Sequence, residues 1–319
     1  MAFGVILAGD RFSRRRGRRT CSEGPYRVHI GMGEIFSISS AACWALGVVF
    51  YKQLGDRLPP VALNLLKNGI VVALMIPTVL VVHGFALPHF EAGTLALSIL
   101  SGILGISVAD TLYFRALNTL GAGRTGVLGN LFSPFVIVLS FLFLDERLTL
   151  LQFAGFALVM FGVLLVNQRR SDEPLPKAQL RRGLLIGVAA IAMNAAGIVM
   201  IKPVLEVEPF FWVALVRMIA ALLPMLWLWH VLPAHHRVPS LRAVPWRLLI
   251  LAAVLGQYVA MLFWLAGYKY TSASVASVLN ETASIFILLF AWLLLKEPLG
   301  RRKLVGVACT FCGVGVMLL

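Results

Sequence analysis

The chain has 319 residues, of which 60% are hydrophobic and only 13% charged, and its formal net charge is +14. Soluble domains carry roughly 25% charged and about 45–50% apolar residues, so this composition excludes an ordinary water-soluble protein, and a disordered one as well. The apolar content instead fits many membrane spans, and ten spans of about 20 residues each leave room for short loops alone.

Apolar runs stand at 35–51, 61–82, 95–117, 124–144, 148–168, 183–205, 209–232, 248–268, 272–295 and 301–319, which predicts an all-α integral membrane protein of ten helices. Their connections are short and carry breakers such as Pro59-Pro60, Gly121-Ala122-Gly123 and Pro298. The longest polar connection, Arg169 to Arg182, contains Asp172, Glu173, Pro174 and Pro176 and reads as a linker. The expected organisation is a basic tail (1–31), a five-helix unit (32–168), the linker (169–182) and a second five-helix unit (183–319).

Seven of the 28 basic residues lie in the first 31 positions, and most others fall between apolar runs, where a polytopic membrane protein carries its Lys and Arg. That placement argues against a nucleic-acid partner. The four cysteines, Cys21, Cys43, Cys309 and Cys312, are too few for a disulfide scaffold.

The two units resemble each other. At an offset of 150, Gly47 matches Gly197, Lys52 matches Lys202, Pro59 matches Pro209, and Lys67 falls on Arg217. At an offset of 151, Ser133 matches Ser284, Glu146 matches Glu297, Gly155 matches Gly306 and Gly162 matches Gly313. Apolar matches between membrane segments mean little, so the charges, glycines and proline carry the duplication. A unit of five spans ends on the side opposite its start, so its copy enters the membrane upside down. Such inverted repeats are a recurring plan of secondary transporters, with the substrate site near the midplane.

Orientation pulls two ways. The odd-numbered loops and their edges hold 16 basic residues, against only Arg147, Lys202 and Lys269 on the even-numbered side. This places the odd loops in the cytoplasm and both termini outside. The arginines between Arg11 and Arg27 would instead hold the first terminus inside. Translation from Met32, just before the first span, resolves the conflict; if the tail is made, its Arg14–Arg19 run reads as a lipid-facing basic patch.

Tyr113-Phe114-Arg115-Ala116-Leu117, then Ser133-Pro134-Phe135, Asp145-Glu146-Arg147-Leu148-Thr149, Gly155 and Gly162 resemble one repeat of the EamA family, in the drug/metabolite transporter superfamily. A second copy reads Leu279-Asn280-Glu281, Lys296-Glu297-Pro298-Leu299, Gly306 and Gly313. Pro134 meets Ile285 in the second copy, and Arg147 meets Pro298. The resemblance runs from about Glu34 to Leu319. It implies two inverted five-helix repeats and export or exchange of small metabolites by alternating access. It also implies substrates such as amino acids, with relatives that handle nucleotide sugars or phosphosugars. Many members are described with both termini in the cytoplasm, opposite to the loop count here.

Ionisable residues inside spans cost at least about 2.5–3.5 kcal/mol each on insertion scales, so each calls for a reason. Lys67, Asp110, Arg217 and Glu281 are the four that stand out. They form either a structural set of ion pairs or the lining of a water-filled cavity. Glu281, near the middle of the ninth run with Asn130 aligned to it, is a candidate proton carrier or ligand for a substrate amine. Asp110 is the second acidic candidate. Lys67 and Arg217 occupy equivalent sites, suited to an anionic substrate group or to snorkelling toward an interface. Asn64, Asn68, Asn130, Asn194, Asn280, Gln257 and Tyr258 extend the candidate cavity, against the alternative of interhelical hydrogen bonds. Trp44, Trp264 and Tyr268 are suited to stacking on a substrate or, equally, to packing. Glu146 and Glu297 each close a span and are expected to cap the following helix.

Several motifs fail on context. Gly121-Ala122-Gly123-Arg124-Thr125-Gly126 fits G-x-G-x-x-G, yet a membrane helix precedes it where a β-strand is needed. Cys309 and Cys312 have redox spacing but read as small packing residues of the last helix. The six histidines are scattered, so no metal site is expected, nor any cofactor. The sequence thus predicts a non-enzymatic secondary active transporter of the plasma membrane, a monomer or homodimer, whose partners are a small-molecule substrate, the lipid bilayer and protons. The rivals are an anion exchanger gripping phosphate or carboxylate with Lys67 and Arg217, and an integral-membrane lipid-modifying enzyme.

Overall fold

The computed structural model describes residues 31–55, 58–84, 88, 90–120, 122–167, 175–231, 242, 244–295 and 301–319. The basic tail, Glu297 and Pro298 lie outside the described residues. Ten helical rods follow in chain order. The first unit comprises α1 (Met32–Gly55), α2 (Pro60–His83), α3 (Ala92–Leu120), α4 (Ala122–Gly129 and Phe132–Phe143) and α5 (Leu150–Asn167). The second comprises α6 (Lys177–Val207), α7 (Phe210–Val231), α8 (Trp246–Tyr270), α9 (Ala273–Asn280 and Ala283–Leu295) and α10 (Arg301–Met317). No strand occurs among the described residues.

Among the described residues, seven stretches are long and apolar enough to cross a membrane, drawn from α1, α2, α3, α6, α7, α8 and α9. The sequence runs predicted ten such spans. α4 and α5 contribute only the shorter apolar helices Val127–Phe143 and Leu150–Val166, and α10 has 17 residues. α6 also begins at Lys177, so Arg181 and Arg182 are helical and the connection is shorter than the expected linker.

The repeat is written into local irregularities. Both α3 and α8 loosen into a π-helical turn, at Ile103–Val108 and Val254–Val259, 151 residues apart. Both α4 and α9 tighten at the same offset: Asn130 and Leu131 donate backbone N–H to residues three back, as do Glu281 and Thr282. Each unit therefore holds one underwound and one overwound helix, the kinds of distortion that recur at functional sites and hinges.

Packing is reciprocal between the units. Gly47 of α1 meets Gly256 in the π turn of α8, where an added Cβ would overlap the facing backbone. The equivalent pair is Gly105 in the π turn of α3 and Gly197 of α6, where a Cβ on Gly105 would stand 3.0 Å from the Gly197 Cα. Around these crossings Ser40 Oγ donates to the Ala260 carbonyl at 2.9 Å, and Ser101 Oγ donates to the Gly197 carbonyl at 2.6 Å. Small residues permit this backbone approach, the usual basis of helix association in lipid.

The main apolar core joins α2, α6, α7 and α8 through residues such as Met75, Ile198, Phe211, Met218 and Leu262. α5 and α10 pack beside it, with Gly155 against Gly313 and Gly162 against Gly306 and Thr310. Their outer faces leave Phe153, Phe161, Leu304 and Phe311 exposed, as lipid contact requires.

Candidate functional site

Lys67, Asp110, Arg217 and Glu281 fall into two clusters. Helix parity places them at opposite depths, because each rod crosses the bundle once. Lys67 lies seven residues after the start of α2, and Asp110 ten residues before the end of α3. At 1.5 Å per residue these positions are about 10 and 15 Å from the same end of the bundle. Arg217 lies seven residues after the start of α7 and Glu281 eight after the start of α9, about 10 and 12 Å from the other end.

In the first cluster, Asn64 Nδ2 donates to Asp110 Oδ2 at 3.3 Å, and Asn68 Nδ2 donates to Asn64 Oδ1 at 3.2 Å. The same two amides approach the thioether of Met225 on α7, at 3.9 and 3.5 Å. Lys67 and Asp110 attract one another electrostatically. The Lys67 ammonium also stands 6.0 Å from the Trp44 ring centre and 5.7 Å from that of Tyr51, within cation–π range. The first cluster is thus one in which an acid and a base attract each other.

The second cluster is not. Arg217 is 3% exposed, and its guanidinium lies 6.0 Å from the ring centre of Trp264, which meets Tyr268 edge-on at 5.1 Å. Arg217 Nε and Tyr268 Oη have no hydrogen-bond partner among the described residues. Glu281 occupies the tightened step of α9, where the Ser133 hydroxyl, from α4 of the other unit, is shared between Glu281 Oε1 at 2.7 Å and the Ser277 carbonyl at 3.0 Å. Tyr268 lies in the field of Glu281. No opposite charge acts on Arg217 or Glu281 among the described residues. Of the four charges, Lys67 and Asp110 alone act on one another among the described residues.

The other sequence candidates divide. Asn194 Nδ2 donates to the Gly105 carbonyl in the π turn of α3 at 2.9 Å, which is structural work. Asn280 Nδ2 donates to the Ala276 carbonyl one turn back. Tyr258 shares a 2.6 Å hydrogen bond with Thr78 of α2, and Gln257 Oε1 in the same π turn has no partner among the described residues. Asn130 is buried at the tightened step of α4, the position equivalent to Glu281.

Three contributors were not singled out as site or capping residues in the sequence. Ser133 showed as a repeat match and in the family motif, Lys202 as a repeat match and in the loop charge count, and Thr78 gave no signal. Lys202 Nζ donates to Glu206 Oε1 at 2.8 Å and to the Tyr268 and Thr271 carbonyls at 3.1 and 3.0 Å, closing the carboxyl end of α8. Glu146 does cap a helix, but not the following one. Its carboxylate accepts from Ala273 N at 2.8 Å and from Ser274 N and Oγ at 2.9 Å, at the start of α9 in the other unit. The start of α5 is served by Thr149 and Gln152, each accepting the other's backbone N–H at 3.1 Å.

Comparison with known proteins matches this arrangement. The model of the EamA-like transporter family covers residues 31–168 and again 181–319. The chain is 29% identical to the uncharacterized transporter YvbV of Bacillus subtilis over 46% of its length and 48% of that protein's. It is 27% identical to the protein PecM of Dickeya dadantii over 66% of its length and 69% of that protein's. The chain thus aligns with about half of the first relative and about two thirds of the second. A solved crystal structure, 18% identical, superposes with a TM-score of 0.76 over 89% of this chain and 96% of that one, which shows a shared fold. Matched twice along its length by one family model, this multi-pass membrane protein belongs to the EamA-like transporter family.

Proposed function

We propose that the protein is a secondary active transporter that exports a small metabolite of the amino-acid class across the plasma membrane by alternating access. A proton and the substrate's amine bind in turn at Glu281. One observation carries this reading: a carboxylic side chain sits at the interrupted step of α9, hydrogen-bonded by Ser133 from α4 of the opposite repeat. A group held jointly by both repeats feels any movement of one against the other, and interrupted membrane helices are where transporters place substrate and ion sites. The clusters at opposite depths support inverted repeats, each side of the membrane having its own polar half-chamber.

The anion exchanger built on Lys67 and Arg217 is less well supported, because the two cations stand in different clusters, each seven residues into its own helix from opposite ends of the bundle. Lipid modification would call for acids or histidines gathered at one interface, whereas Asp110 and Glu281 lie well inside the helices. In proteoliposomes, Glu281→Gln is expected to abolish proton-driven net flux of the transported amino acid while the protein remains folded and monodisperse. Proton-driven flux equal to that of the wild type overturns the coupling role.

A further inference from the structure

Arg217 has a chemical demand that the reading above does not use. Its guanidinium is buried a third of the way along α7 beside the Trp264 ring, and Nε has no hydrogen-bond partner among the described residues. A guanidinium carries five N–H donors in a fixed fork, cannot shed its charge under ordinary conditions, and matches a carboxylate with two parallel hydrogen bonds. An aromatic face answers the charge but accepts none of those donors in the plane of the fork. Gly102 packs against the Arg217 backbone, so α3 fixes the guanidinium's root in place. Beyond Trp264, Tyr268 Oη, fully buried, is a second donor without a partner among the described residues, and the Trp264–Tyr268 pair provides an apolar wall.

Charge arithmetic narrows the ligand. Lys67 and Asp110, one charge of each sign, belong to the other cluster. Arg217 therefore leaves one positive charge in its own half-chamber when Glu281 is protonated, which suits a single negative charge. We propose that Arg217, backed by Trp264, is an anion subsite that takes the carboxylate of an organic monocarboxylate, with the Tyr268 hydroxyl as an additional donor. The inference rests on the transporter reading for its chamber but not on proton coupling: binding at equilibrium, with no gradient, tests it separately from the Glu281 experiment.

The experiment titrates phenylacetate, its neutral isostere phenylacetamide, and sodium chloride onto the purified full-length protein in lipid nanodiscs by calorimetry. Phenylacetate is expected to bind at least about tenfold more tightly than phenylacetamide, the size of effect that a charged hydrogen-bonded pair supplies. Arg217→Gln is expected to remove that preference, and Arg217→Lys, which lacks the fork, to recover only part of it. Arg115→Gln, which deletes an exposed charge on the same chain, is expected to leave it intact. Equal affinity for acid and amide in the wild type, or no phenylacetate binding at tens of millimolar, overturns the proposal without any variant having to fold. Full displacement of phenylacetate by equimolar chloride also overturns it, because the site would then be one for inorganic anions.

Discussion

Glu146 offers the most direct test of how the two repeats are fastened together. Its carboxylate, half-buried at the end of α4, receives three hydrogen bonds from Ala273 and Ser274 at the start of α9. Losing a helix cap costs about 1 kcal/mol, and hydrogen bonds to a charged acceptor contribute about 1.5–3 kcal/mol each when well buried. Partial exposure argues for the low end, and Ser272 Oγ still accepts from Val275 N at 3.2 Å in the variant. Glu146→Ala should therefore lose about 2–3 kcal/mol, and Glu146→Gln, which keeps one acceptor oxygen, about 1 kcal/mol. Arg147→Ala is the control, since among the described residues that exposed side chain has only a cation–π contact with Phe141 at 6.0 Å, worth below about 1 kcal/mol. Denaturant unfolding in bicelles, followed through the seven tryptophans, reads the difference. If Glu146→Ala matched Arg147→Ala, or Glu146→Gln cost as much as Glu146→Ala, the cross-repeat cap would not be what stabilises the start of α9.

Other substitutions separate close packing from composition. Gly47→Ala puts a methyl into the backbone of Gly256 and should cost about 1–3 kcal/mol, whereas Gly69→Ala, with open space around it, should be neutral or gain up to about 1 kcal/mol. The same unfolding assay checks both. Lys202→Met keeps the length of the stem but removes the donor to Tyr268 O, Thr271 O and Glu206; a loss of about 2 kcal/mol is expected, and no loss would show that the end of α8 needs no cation.

Much of the architecture was readable from residue spacing. Ten rods and the repeat offsets follow from apolar runs and from duplicated charges and glycines, because each reflects a local demand of the bilayer. The residues of the candidate site were readable as types, since a charge inside a span stands out. Their partners were not. Ser133 meets Glu281 across 148 residues, and Glu146 reaches Ala273 across 127, so only the assembled fold brings them together. The expectation that Glu146 caps its neighbouring helix failed for this reason: Thr149 and Gln152 already satisfy α5. The π turns were also hidden, as nothing in the residues of Ile103–Val108 and Val254–Val259 distinguishes a π turn from an α turn. Gly105 and Gly256, at equal offset within them, were the available hint.

The central claim is that two polar half-chambers, one per repeat, open by turns to opposite sides of the membrane. Asn64→Cys and Trp264→Cys, each made singly with the native cysteines replaced, place a thiol in one cluster and in the other. A membrane-impermeant thiol reagent applied to right-side-out and inside-out vesicles should modify Asn64→Cys only from the odd-loop side and Trp264→Cys only from the opposite side. Saturating substrate on one side should move the two rates in opposite directions. Modification of both from the same side, or rates that rise and fall together, would contradict the account.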